Sequence, residues 1–170
     1  GTNTITLPAN TGTVITTASS GQSIPKAALP TGSVLQVVSA TYSTNVNTTS
    51  TSWVSTGITA SITPTSSSSK VFVMIHNPMR RNDTAGVNYG MGLNLYRNGS
   101  GIFTPMSNMG YSYPNSNFAE SWLATFNYMD SPATTSSTTY TLYFQVASNG
   151  TMSSCVDNNP ASITLMEIAA

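Results

Sequence analysis

Charge is what this sequence has least of: Asp, Glu, Lys and Arg make up 6% of its 170 residues and cancel to a formal net charge of zero. An average soluble protein carries about 25%. With five basic residues in all, no surface patch can neutralise a run of phosphates, which excludes nucleic acid as a partner. A single cysteine, Cys155, rules out an intrachain disulfide and thiolate zinc sites. Nothing beside it in the sequence would activate the thiol, so a small buried apolar residue is expected there. No apolar run approaches the roughly 20 residues of a membrane-spanning helix, and no membrane insertion is expected. Helical periodicity and a signal-peptide pattern are missing too. The chain opens on Gly1 rather than Met, and a piece of a longer polypeptide or a processed product is expected.

What the sequence does have is 39% apolar residues, enough for a core, and an abundance of Ser, Thr and Asn that supplies solubility without charge. Residues 1–30 carry two short alternating runs and a Ser/Gly-rich linker, too little apolar surface to fold alone. They are expected to form an extended N-terminal arm or shaft segment, followed by one domain over 31–170. That domain reads as all-β, with candidate strands at 34–44, 53–63, 70–77, 87–97, 101–106, 120–129, 139–147 and 163–169. Asn98-Gly99 between two apolar runs is the strongest turn signal, because a two-residue type I′ hairpin turn needs left-handed backbone at both positions. Strands of this number and spacing predict an antiparallel β-sandwich, with a jelly roll preferred over a barrel.

The final run, 162–170, is apolar on both faces: Ile163 and Leu165 point one way, Met166 and Ile168 the other. Such a strand belongs inside a sheet. The matching run at Val34, Leu35 and Val37 is expected to pair with it at the centre of the sandwich, leaving a second apolar face that needs a partner chain. Glu167, within that last strand, must be paired or hydrogen-bonded if buried; a contact between subunits and a water-filled polar pore are both open.

Chemistry is hard to find. His76 closes a candidate strand as a structural imidazole. Glu120 and Asp130 sit at opposite ends of another, about 33 Å apart by the usual rise, too far to flank one glycosidic bond. Asp157-Asn158-Asn159 and Asn82-Asp83-Thr84 offer oxygens but lack calcium-loop spacing and read as turns. No catalytic centre, metal or cofactor is expected. Two segments read as long irregular loops, 77–86 and 105–118. Arg80, Arg81, Tyr111, Tyr113, Asn115 and Asn117 there supply the flat apolar faces and planar hydrogen-bonding groups that sugars require. Trp53 and Trp122 fall in strand patterns and are expected in the core.

Several stretches together resemble the C-terminal module of tail-fibre and related virion surface proteins of tailed bacteriophages: 29–38 (LPTGSVLQVV), 49–57 (TSTSWVSTG), 61–71 (SITPTSSSSKV), 129–140 (MDSPATTSSTTY) and 162–170 (SITLMEIAA). The segment 5–14 (ITLPANTGTV) is similar to those that precede such modules. The likeness is colinear and covers most of the chain, but not residues 77–118. It implies a tumour necrosis factor-like jelly roll, homotrimeric at the outside of a virion, with Val34, Leu35, Val37, Leu165, Met166, Glu167 and Ile168 at the trimer interface. It also implies a non-catalytic receptor-binding role, with a host cell-surface polysaccharide and other virion proteins, reached through the arm, as partners. A capsid decoration or cement protein is the alternative, and a glycan-cleaving spike ranks last.

Overall fold

A computed structural model describes residues 29–83, 85, 89–112 and 114–170; the arm and linker expected before residue 29 lie outside the described residues. Thr31–Ala170 forms one compact unit. Among the described residues it has ten strands: β1 Val34–Tyr42, β2 Val46–Thr48, β3 Val54–Ile62, β4 Lys70–Asp83, β5 Tyr89–Arg97, β6 Ser100–Ser112, β7 Phe118–Asp130, β8 Thr138–Val146, β9 Thr151–Ser154 and β10 Ala161–Ile168. All pairings are antiparallel. The first sheet runs β1-β10-β4-β9-β2, with β7 on the free side of β4, and the second runs β3-β8-β5-β6. The antiparallel sandwich expected from the sequence is what forms.

Burial alternates residue by residue along β8 and β10, as a half-buried strand demands. The inward positions Ile58, Val73, Leu93, Leu142, Phe144 and Leu165 meet between the sheets. The last strand lies between β1 and β4, so it is central, whereas β1 is an edge. Asn98 and Gly99 take positive φ of 48° and 84°, and the β5–β6 hairpin turns where the sequence signals it.

Two strands run further than their sequences indicate. β4 continues through Asn77–Asp83, although Asn-Pro-Met-Arg-Arg-Asn-Asp reads as a loop. Pro78 is tolerated because it falls where the neighbour of β4 changes from β10, which ends its pairing at His76, to β9, which begins at Met79; a missing N–H costs no ladder bond on that side. β6 continues through 105–112. Its 13 residues pair with the nine of β5 through repeated register shifts. Each shift inserts an extra residue and breaks the period of two, so the strand carries no legible alternation. Pro105 fits because β6 is an edge. β2 and β9 are too short to register as strands in the sequence.

Leu142 is wholly enclosed between the sheets. Leu142→Ala is expected to cost about 2–5 kcal/mol, read as a fall in the urea midpoint at unchanged slope.

Candidate functional site

The outward face of the first sheet carries an apolar row across four strands. Val37 of β1 faces Met166 of β10, Met166 faces Phe72 of β4, and Phe72 faces Met129 of β7. The Val34–Ile168 pair adjoins it on one side and Met74 on the other. Val37 is 56% exposed, Val34 50%, Met129 45% and Met74 42%. Single exposed apolar residues need no explanation, but a contiguous set is what partner surfaces look like. Beyond it the face turns polar through Thr41, Ser162, His76 and Thr125, and His76 is exposed there.

Leu165 and Glu167, expected at the same interface, belong to the other face. Both are fully buried within the sandwich, because the side chains of β10 alternate and Met166 and Ile168 take the outward positions. Leu35 is half-buried. The partners of Glu167 come from within its own chain. Gln36 Nε2 donates to its Oε2 at 2.6 Å, and the Thr65 N–H and hydroxyl donate to Oε1 at 2.6 and 2.7 Å. Gln36 also donates to the Thr63 carbonyl at 2.7 Å. Burial by itself raises the Glu167 pKa, but hydrogen bonds from Thr65, Gln36 and Ser69 outweigh it and hold the carboxyl below its ordinary value of 4.5.

The same inward row continues through Val71 to Asp130. Arg97 reaches across from the second sheet and binds both Asp130 oxygens at 2.8 and 2.9 Å, while the Tyr140 hydroxyl donates to the carboxylate at 2.6 Å. Burial, then the bond to Asp130, pushes the Tyr140 hydroxyl far above its ordinary range, so it stays protonated. Asp130 is thereby committed to joining the sheets, and Glu120 lies ten positions away in the same strand.

Of the six residues grouped for sugar binding, the four whose side chains are described are not brought together. Consecutive strand positions send Arg80 and Arg81 to opposite faces. Arg80 pairs with Asp157 at 2.6 and 3.1 Å and donates to Ser121 at 2.9 Å. Arg81 turns inward beside Asp83 and Glu120, each at 3.4 Å, with the Phe118 ring 5.4 Å away. Asn115 and Asn117 are exposed in the turn between β6 and β7, and Asn117 accepts a bond from the Ala85 N–H at 3.1 Å. Tyr111 lies in β6; its side chain and the whole of Tyr113 lie outside the described residues.

Of the two tryptophans expected in the core, Trp122 is partly buried against it and Trp53 is not part of it. Trp122 borders a cleft of about 470 Å³ between the edges of β6 and β7, with Met91, Leu93, Met106 and Phe126. Glu120 stands at the same cleft, its side chain 52% exposed. Trp53 rests on the outward side of the second sheet, its ring so close to Gly92 that an added Cβ would lie 2.7 Å from Cη2. The bare backbone of Gly92 was the available signal, and it points to a close approach without naming the partner. Cys155 is buried as expected, and burial pushes its thiol pKa up. Among the described residues no cluster of three His, Cys, Asp or Glu could hold a metal ion.

No family model matches the chain, and no curated protein matches it. Among solved structures it is similar to the T13 particle of infectious bursal disease virus (TM-score 0.37, 10% identity, 81% of this chain and 37% of that one). The VP2 subviral particle of the same virus gives a TM-score of 0.36 at 13% identity, over 79% of this chain and 37% of that one. Dimeric latent PorU from Porphyromonas gingivalis gives 0.32 at 11% identity, over 81% and 14%. This chain therefore spans well under half the length of each. Likenesses this loose assign no activity.

Glu167 titrates lower in the folded chain than its ordinary 4.5, so the stability it contributes is complete above that pH and is lost as pH falls through the folded value. Glu167→Gln puts an amide in place of an oxygen that accepts from Thr65 or Gln36 and lacks that contribution at every pH. The gap in unfolding free energy between wild type and variant is expected to narrow from about pH 7 to about pH 3, followed by urea denaturation at each pH.

Proposed function

We propose that this chain is a trimeric, non-catalytic module of a bacteriophage virion surface protein that attaches the particle to a host-cell glycan. The observation that carries the reading is the outward apolar row Val37–Met166–Phe72–Met129, exposed at its two ends and half-buried in its middle. Covering it removes apolar surface from water at about 25 cal/mol per Å², and the natural cover is a second copy of the same chain. The cleft between β6 and β7 is a second, unlike apolar surface. Contact between two unlike surfaces is head-to-tail, and it closes into a ring when the rotation allows. Main strands that pass back and forth between two sheets support the jelly roll of tumour necrosis factor type, and the colinear resemblance to tail-fibre modules supports the virion setting. Weak individual sites suffice when several act from one particle.

Met166 points away from the core, so Met166→Asp leaves the sandwich able to fold while placing a charge in the middle of the row. Light scattering is expected to give three times the chain mass for wild type and a smaller species for the variant. A wild-type species of single-chain mass would remove the trimer. Antibody to the sandwich should label intact particles at a fibre tip, whereas label spread over the capsid would favour decoration instead.

A further inference from the structure

The outward face of the second sheet differs in kind from that of the first. Its strands are β3, β8, β5 and β6, and among their described residues Arg97 is the one charged side chain, engaged inward with Asp130. What the face shows is aromatic and amide. Tyr96 and Tyr143 stack with centroids 3.9 Å apart and planes 22° from parallel. Tyr143 faces Asn94 across the β8–β5 ladder, and Gln145 faces Gly92. Trp53 lies on Gly92 next to the Gln145 side chain, and Asn108 lies on Gly90; an added Cβ at either glycine would collide with them. None of Trp53, Tyr96 and Tyr143 packs with the hydrophobic core.

Polar valence on this face is left open. Asn94 is 9% exposed, and its Oδ1 is buried without a donor among the described residues. A buried acceptor left in that state costs free energy that a ligand hydroxyl would recover. Glycine at 90 and 92 keeps the sheet low where the indole and the amide lie, giving a broad shallow platform in place of a pocket. Gly92 to Tyr96 spans about 13 Å along β5, longer than one hexose.

We propose that this platform, built from Trp53, Tyr96, Tyr143, Asn94, Asn108 and Gln145, binds an uncharged polysaccharide along the interior of its chain. Aromatic faces stack on the C–H faces of pyranose rings, and planar amides bridge neighbouring hydroxyls. A face with no charge of its own offers nothing to a phosphate, sulfate or carboxylate, so the ligand is a neutral glycan. The site lies on the opposite side of the sandwich from the apolar row. The inference rests on the attachment reading for its class of ligand, and on the structure alone for its location.

The test is affinity electrophoresis of the purified protein through gels containing a soluble neutral glucan, mannan or galactan, with a sulfated polysaccharide as the charged control. At least one neutral polymer is expected to retard wild type, equally at about 0.05 M and about 0.5 M salt. Tyr96→Ala and Tyr143→Ala should each weaken retardation about tenfold, with Gln145→Ala in the same direction. Tyr143→Phe keeps the ring and should retain most binding, which separates stacking from a failure to fold. In a Trp122→Phe background the remaining Trp53 fluorescence should shift on adding the retarding polymer. Retardation by the sulfated polymer alone, by none of the polymers, or undiminished in both tyrosine variants overturns the proposal. Loss confined to a Tyr111→Ala, Tyr113→Ala double variant also overturns this site but leaves attachment standing, through the tip between β6 and β7.

Discussion

The hydrogen bonds that enclose Glu167 fix the register of the last strand, and the two faces of the first sheet follow from it. A side-chain period of two means that a slip of one residue would turn Glu167 to solvent and drive Met166 and Ile168 into the core. Gln36 and Thr65 reward one register alone, since the carboxylate finds its donors only when it points inward. An unpaired carboxylate in that position would be prohibitive. The donors come from β1 and from the segment after β3, so one acid ties the first strand, the last strand and the β3–β4 connection together. Asp130 does the same between sheets through Arg97 and Tyr140. Few charges are present, and these two acids act inside the fold.

With these two acids turned inward, uncharged side chains dominate the outward faces, apart from Lys70 and the Arg80–Asp157 pair on the first sheet, and the two faces diverge. One presents Val, Met and Phe in register across four strands; the other presents Trp, Tyr and amides over glycine. An apolar face asks to be covered, while an aromatic and amide face stays comfortable in water and still offers stacking and hydrogen bonds. The self-association and the glycan attachment proposed above draw on these two faces, one each. The bulged β6 contributes by making one edge irregular, a poor template for another strand.

Legible in the sequence alone were the all-β class, the Asn98-Gly99 hairpin, the pairing of the first long strand with the last and the opposition of Met166 and Ile168 to Ile163 and Leu165, though not which of those two faces is buried. Each follows from local rules: alternation, turn chemistry and the shortage of charge. What it hid were features whose explanation lies in a neighbouring strand. Asn77–Asp83 looks like a loop until β9 takes over from β10 beside Pro78, and 105–112 looks like a loop because bulges erase its period. Arg80 and Arg81 are adjacent in sequence and parted by the strand they belong to. Glu167 reads as an anomaly until Thr65, a hundred residues earlier, supplies its donors. Only the tertiary structure decided which face each polar residue serves, because the partner that satisfies a buried group, or fails to, comes from a distant part of the chain.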